Sequence, residues 1–173
     1  IEVENQFLKP FRQKQSRAMD YIGMGKLLGA TVSFAHYSKD PKVVELKDRL
    51  VKELLATQLD DGYLGSFPAG ARILQLFDEH EMAYNIHALV NNYRCFRDQP
   101  SLDAARKLAD YYVKNHKSAV ATRDPKLVCK IDIERALIAL SEATGDARYR
   151  DYIVEREDLR HWNLPIDVVG TGQ

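Results

Sequence analysis

The chain has 173 residues, of which 45% are hydrophobic and 29% are charged, a composition typical of one globular domain and not of a disordered chain. Its 25 basic residues balance 25 acidic ones, which argues against a nucleic-acid partner or an anionic membrane surface. No apolar run approaches the roughly 20 residues that a membrane-spanning helix needs. The chain begins at Ile1 without a signal-like segment. We therefore expect one domain over 1–173 that is part of a longer protein, and its cellular location stays open.

The first predicted hairpin opens with a helix from about Gly23 to Tyr37. This segment is rich in small and apolar residues and contains a single lysine. A helix that is apolar on nearly all sides is predicted to be buried. Asp40 then suits an N-cap and Pro41 the first helical position of a second helix. This helix, 42–58, carries an apolar stripe opposite its charged residues, as an outer helix does. The stripe contains Val43, Leu46, Leu50, Val51, Leu54 and Leu55.

A second hairpin is predicted from a helix over 79–96 and another over 102–115. The apolar residues of the second helix recur on one face, which indicates packing against its partner. Ser101 directly precedes this helix and is the expected N-cap.

A third hairpin is predicted from helices over 127–144 and 147–155. Gly145 suits the left-handed residue that ends many helices, and Asp146 suits the cap of the next helix. The three interhelical turns lie about 50 to 60 residues apart, longer than compact helical repeats. The fold class is therefore all-α, built from helical hairpins of unequal connection length.

The helix over 79–96 carries an unusual polar stripe. At about 100° per residue, Tyr84, His87 and Asn91 all fall within about 40° of His80. The apolar residues of the helix lie on the opposite side, namely Met82, Ile86, Leu89, Tyr93 and Phe96. Such a stripe can exchange hydrogen bonds with sugar hydroxyls, or it can simply face water. The two histidines are roughly 10 Å apart along the axis, too far to chelate one metal ion unaided.

The stretch Q-L-D-D-G-Y-L-G, from Gln58, follows the outer helix of the first hairpin. Gly62 and Gly65 permit a sharp turn on either side of Tyr63. The loop either presents Asp61 and Tyr63 to a sugar or forms a tight turn with Tyr63 as a plug, and the residues alone leave both interpretations open.

Other candidates are weaker. Asp132 and Glu134 are two residues apart on a predicted helix, so they face different directions and form a poor acid/base pair. Cys95 and Cys129 have neither a CxxC spacing nor a nearby histidine pair, which is typical of buried thiols. The G-M-G-K run at 23–26 lacks the spacing and the preceding strand of a phosphate loop.

Three motifs together resemble one enzyme family: Q-L-D-D-G-Y-L-G, then H-E-M-x-x-N-I-H-A-L-V, then I-D-I-E-R-A-L-I-A-L-S-E-A-T-G-D-A-R-Y. Their order and spacing resemble the N-terminal half of the catalytic domain of β-L-arabinofuranosidase-like glycoside hydrolases, family 127 and its relatives. The resemblance covers about residues 6 to 158. It implies part of an (α/α)6 toroid, the six-hairpin glycosidase architecture, in which inner helices surround a sugar-binding cleft.

The wheel and the resemblance together define the expected substrate-binding set, which is Asp61, Tyr63, His80, Glu81, Tyr84 and His87. Two positions depart from the family pattern: Ala83 stands where a tyrosine is common, and Lys130 stands where a histidine is common. The resemblance also implies a cysteine nucleophile in a zinc site and a glutamate acid/base, all later in the domain. No residue of this chain matches them, so we expect no cofactor in this chain and assign no catalytic residue.

The leading hypothesis is therefore part of a glycoside hydrolase that contributes sugar-binding residues to a cleft. The alternative is a non-catalytic α-hairpin module that binds a partner or a carbohydrate. A partial toroid leaves an open seam, which the rest of the catalytic domain or another chain would cover. We accordingly expect exposed apolar residues on the third hairpin, such as Ile138 or Ile153.

Overall fold

The computed structural model describes residues 2–122 and 132–156. Within these ranges the secondary structure is helical and includes no β-strand. A π-helical turn at Glu4–Leu8 and a 3-10 turn at Ala69–Ala71 accompany seven α-helices. These are α1 (Lys9–Gln13), α2 (Met24–Ser38), α3 (Pro41–Leu55), α4 (Leu76–Phe96), α5 (Gln99–Thr122), α6 (Ile133–Thr144) and α7 (Ala147–Arg156).

Six of the seven described α-helices, α2 to α7, form two layers of three. Each hairpin pairs successive helices, α2 with α3, α4 with α5 and α6 with α7. Helices α2, α4 and α6 also pack side by side, with α4 in the middle, whereas α3, α5 and α7 touch one another only slightly. The predicted three hairpins are confirmed, and their inner row is α2–α4–α6.

Two of the three hairpins are closed by the short polar turns that the sequence predicts. The Asp40 carboxylate accepts a hydrogen bond from the Lys42 amide at 2.8 Å, and Pro41 is the first residue of α3. Gly145 adopts φ 71° at the end of α6, and Asp146 accepts from the Arg148 amide at 3.1 Å. Both arrangements satisfy amides or carbonyls that helix ends leave unpaired.

The turn before α5 differs from the prediction. Ser101 is not the N-cap, because α5 begins at Gln99 and the Asp98 carboxylate accepts from the Ser101 amide at 3.0 Å. The Ser101 hydroxyl is buried and accepts instead from the Asn92 side chain of α4 at 2.9 Å. Asp98 therefore caps the helix, and Ser101 joins α5 to α4.

Helix α6 also begins later than predicted. Asp132 adopts φ 66°, a left-handed conformation that a continuous helix cannot contain, so α6 starts at Ile133. The remainder of the predicted start, 127–131, lies outside the described residues, and so does Cys129. Cys95 is a free thiol on α4.

The third hairpin is tied to α4 by a charged side chain at its end. Arg156 of α7 lies 3.3 Å from the buried Glu79 carboxylate and 3.2 Å from Glu134. The Tyr112 hydroxyl of α5 donates to Glu79 at 2.6 Å. Because removing one partner of a buried ion pair is costly, this network fixes α7 and α5 against the first turn of α4.

The expectation that α2 is buried on nearly all sides is wrong. One face packs against α3 and α4, but Phe34 is 67% exposed and Tyr37 is 89% exposed. On the third hairpin, Ile138 is 41% exposed as expected, whereas Ile153 is 2% exposed because it belongs to the main apolar core. No described helix is long and apolar enough to cross a membrane.

Helices α2 and α4 approach so closely that a glycine is required between them. A Cβ atom added to Gly25 would lie 2.4 Å from the Tyr84 carbonyl carbon and 2.5 Å from the Asn85 amide nitrogen. These are backbone atoms, which cannot move aside as a flexible side chain can. The separation of the two inner helices is therefore set by the lack of a side chain at Gly25.

We expect Gly25→Ala to lower the free energy of unfolding by about 2–3 kcal/mol, since overpacking a tight contact costs this much. Gly29→Ala is the matched control on the same helix, because its added Cβ would meet only the Ala88 Cβ at 3.7 Å. This control should be neutral or stabilising by about 0.5–1 kcal/mol. Urea unfolding followed by circular dichroism measures both, and equal effects of the two changes would contradict the close contact.

Candidate functional site

The Q-L-D-D-G-Y-L-G loop is held by the ammonium group of a half-buried lysine. Lys14 donates to the carbonyl oxygens of Thr57 at 2.9 Å and Gly65 at 2.8 Å, and burial lowers its pKa to about 8. Gly62 adopts φ 95°, which only glycine accommodates readily. The loop is thus a fixed part of the core at one end of α4.

Tyr63 lies inside this core. Its side chain is 0% exposed, and its hydroxyl donates to Asp78 at 2.6 Å and accepts from the Phe67 amide at 3.0 Å. The Arg72 guanidinium covers its ring at 4.2 Å. Tyr63 is therefore placed as a plug, away from any surface that a ligand reaches.

Asp61 has a different environment. Its carboxylate caps the turn by accepting from the Tyr63 amide at 3.0 Å, and it forms an ion pair with Arg72 at 3.0 Å. The side chain is half exposed and borders a shallow depression with Lys107 and Tyr111 of α5. The structure does not bring Asp61 and Tyr63 together with the histidine stripe.

His80 and Glu81, at the start of α4, are both buried. The His80 ring lies 5.1 Å from Tyr21 and 4.8 Å from Tyr84, measured between ring centroids. Glu81 is 2% exposed and accepts from the amides of Gly23 at 2.7 Å and Gly25 at 3.1 Å. Burial raises the pKa of Glu81, while these amide hydrogen bonds oppose that rise. Glu81 thus holds the beginning of α2, and it is not among the residues that line the groove described next.

The remaining residues of the stripe line a groove of about 350 Å³ between the inner helices. Tyr84, His87 and Asn91 form its floor on α4, as the helical wheel predicts. Small residues of α2 and α4 make room above them, and charged residues close the sides. The other lining residues are Gly25, Lys26, Gly29, Ala30, Ser33, Ala83, Ala88, Asp132 and Arg135. Its volume is in the range of small-ligand sites.

Three charged side chains line the groove, namely Lys26, Asp132 and Arg135. The Tyr84 hydroxyl donates to Asp132 at 2.5 Å, and this hydrogen bond raises the pKa of Tyr84. The pKa of His87 is lowered, first by burial and then by the charges of Arg135 and Arg94. A lowered pKa keeps the His87 imidazole neutral near pH 7, with one nitrogen able to donate and the other to accept.

Sequence reasoning missed Lys26 and Arg135 as groove residues and treated Asp132 as a helix-end charge. Lys26 belongs to the G-M-G-K run, whose sequence pattern suggests a phosphate loop only superficially and does not indicate a groove residue. Its side chain faces the groove because α2 lies against α4, and a single-helix wheel cannot predict that neighbour. The left-handed Asp132 likewise turns its carboxylate toward Tyr84 of another helix.

Among residues 2–122 and 132–156, no three His, Cys, Asp or Glu side chains are placed to hold a metal ion. His80 and His87 contact different neighbours, and Cys95 lies in the last turn of α4. The described residues therefore do not supply the ligands of a zinc site such as the resemblance implies for the later part of the domain.

An inner row of helices with a polar groove, backed by an outer row, defines a segment of an α/α toroid of the six-hairpin glycosidase class. The family model described as beta-L-arabinofuranosidase, GH127 catalytic domain, matches residues 7–159. The chain belongs to this family, which confirms the resemblance found in its three motifs.

Two solved structures have the same fold. A GH127 β-L-arabinofuranosidase from Geobacillus stearothermophilus T6 matches with a TM-score of 0.64 and 22% identity, over 94% of this chain and 30% of that one. A second GH127 β-arabinofuranosidase matches with a TM-score of 0.58 and 19% identity, over 85% of this chain and 27% of that one. The chain thus spans less than a third of either relative. No curated protein sequence matches it.

Asp78, which holds the loop, gives a testable pH dependence. Burial raises its pKa from 3.8 to about 6, so the folded state favours its protonated form. This contribution to stability is fully present below about pH 4 and is lost as pH rises through 6. Between pH 4 and pH 6.5 we expect the ionisation of Asp78 to lower the free energy of unfolding by on the order of 1–3 kcal/mol.

Asp78→Asn should abolish this part of the pH dependence, whereas Asp60→Asn, the same change at an exposed residue of the loop, should retain it. Urea unfolding of the three proteins at pH 4 and pH 6.5 measures the difference. If Asp78→Asn and the unchanged chain lose equal free energy of unfolding over this interval, the assignment to Asp78 is wrong.

Proposed function

We propose that this chain contributes a sugar-binding wall to the catalytic domain of a glycoside hydrolase of the β-L-arabinofuranosidase type. One observation carries the proposal: Tyr84, His87 and Asn91 share a groove between inner helices, on the side of α4 opposite its buried Met82 face. A toroid directs this side of its inner helices toward the central cleft. Family membership supports the same assignment.

The groove offers hydrogen-bonding groups that suit hydroxyl ligands. The neutral His87 imidazole can donate to one hydroxyl and accept from another, and the Asn91 amide can do both. Asp132 already accepts from Tyr84 through one oxygen, and its second oxygen can accept from a hydroxyl. Tyr84 therefore orients the carboxylate, and the three other groups contact the ligand.

In the complete domain we expect hydrolysis of a glycosidic bond with retention, through a covalent glycosyl intermediate. The role of the residues described here is to bind and orient one sugar unit. The residues that break the bond are assigned to the later part of the domain, as the sequence resemblance implies.

The alternative, a non-catalytic interaction module, draws on the exposed apolar side chains of α2 and α6. Phe34 and Tyr37 continue the stripe of Ala30 and Ser33, which line one wall of the groove. Ile138 lies one turn beyond Arg135, which lines the other wall. Because both apolar sets extend the groove walls, we propose that further helices of the same domain cover them.

Amide hydrogen exchange tests this covering. In a longer protein that includes the downstream domain, we expect slower exchange over 33–38 and 135–139 than in this chain, since covered helices open less often. Exchange over 43–54 of the outer helix α3 serves as the internal reference and should not change. If exchange over 33–38 and 135–139 is as fast in the longer protein as in this chain, the result would instead favour the separate interaction module.

Sugar binding is tested by titrating the chain with methyl β-L-arabinofuranoside and following ¹H–¹⁵N NMR spectra. We expect shifts at groove residues, and about a fivefold weaker affinity in His87→Ala, the consequence of losing about 1 kcal/mol of hydrogen bonding. His36→Ala is the control, because His36 is an exposed histidine in the last turn of α2. A ligand-induced shift pattern that avoids the groove would refute the proposed wall.

A further inference from the structure

Two cations face the groove from opposite sides. Lys26 belongs to α2 and Arg135 to α6, and these helices flank α4, which forms the floor. Among the described residues neither cation has an ion-pair partner. Six other described arginines have carboxylate partners, namely Arg12, Arg72, Arg94, Arg148, Arg150 and Arg156.

Lys26 is held in place without being neutralised. Its ammonium lies 4.5 Å from the ring centroid of Tyr84 and 5.1 Å from that of Tyr21. A cation above aromatic rings is attracted by their electron density, but the rings do not cancel its formal charge. The ammonium also has three N–H donors, so it keeps donors for a ligand.

The described residues that line the groove carry more positive than negative charge. Asp132 is the carboxylate that opposes the two cations, and it is engaged by the Tyr84 hydroxyl. His87 adds no charge near pH 7, because burial and the nearby cations lower its pKa. Among the described lining residues, two exposed positive groups therefore face one negative group above the half-buried floor of the groove.

The groove is poorly arranged for the ring stacking that neutral sugars use. Tyr84 is the phenol that lines it, and its ring already contacts the Lys26 ammonium and the His80 imidazole. A sugar that stacked on the side covered by Lys26 would have to displace the ammonium. A ligand with a negative group would instead use Lys26 where it stands.

We propose that the sugar unit bound in this groove carries an anionic oxygen group, either the carboxylate of a uronic acid or a sulfate ester, held between Lys26 and Arg135. This proposal rests on the proposed function of the groove as a sugar-binding wall. It adds that charge selects the ligand, with hydroxyl contacts to His87 and Asn91 orienting the rest of the ring.

The test compares sugars that differ only at one position: D-galacturonate, D-galactose 6-sulfate and D-galactose. The 173-residue chain is titrated with each and followed by ¹H–¹⁵N NMR. In about 50 mM salt we expect at least one anionic sugar to bind roughly tenfold more tightly than galactose, and 500 mM salt to reduce this preference by screening. A stronger response to galacturonate assigns a carboxylate ligand, and a stronger response to the 6-sulfate assigns a sulfate.

Substitutions identify the cations. Lys26→Gln and Arg135→Gln should each reduce the preference for the anionic sugar over galactose about fivefold. Arg135→Lys should retain most of this preference. Lys42→Gln and Arg49→Gln make the same charge changes on the exposed side of α3 and should leave it unchanged. Because the substituted side chains are all exposed, the variants are expected to keep the fold, which their NMR spectra verify.

The outcomes separate this proposal from the one on which it depends. If galactose and the anionic sugars bind the groove equally, the sugar-binding wall stands and the anionic selectivity is refuted. If the preference persists in both glutamine variants, the assignment to Lys26 and Arg135 is refuted. If no sugar, including methyl β-L-arabinofuranoside, shifts groove resonances of the folded chain, the sugar-binding wall fails and this proposal fails with it.

Discussion

The arrangement of the inner helices depends on one buried carboxylate. Glu81 of α4 accepts from the amides of Gly23 and Gly25 at the beginning of α2, and Gly25 lets the two backbones meet without an intervening side chain. A carboxylate at a helix N-terminus satisfies unpaired amides and interacts favourably with the helix dipole. Here it also fixes the position of one helix relative to another.

This junction determines the groove. Because α2 begins directly against α4, Lys26 reaches the ring of Tyr84. One turn further along α2 the helices are less tightly packed, since a Cβ added at Gly29 would meet the Ala88 Cβ only at 3.7 Å. On the other side, Asp132 turns back toward Tyr84 before α6 begins. Tyr84 thus meets a cation from one neighbour and an anion from the other, and the charge pattern of the groove follows from helix packing.

The loop after α3 supports the same region from one end of α4. Lys14 holds its carbonyl oxygens, while Asp78 binds Tyr63 and the amide of Ile73. Ile73 has φ 65°, a conformation that β-branched residues rarely adopt, and its bond to Asp78 helps to hold it there. The sequence left two interpretations of this motif open, a sugar-contacting loop or a tight turn with Tyr63 as a plug, and in the structure Tyr63 is fully buried at the end of α4.

The sequence alone determined the six helices of the hairpins, their order and the family, because apolar periodicity, Asp–Pro and Gly–Asp turns and three ordered motifs are local features. It also determined that the His87 and Asn91 side of α4 lies opposite the packing side. Only the tertiary structure decided that Tyr63 and Glu81 are buried while Lys26 and Arg135 face the groove. Those outcomes depend on which backbone lies beside each residue, and contacts between helices distant in sequence leave no periodic signal in any one of them.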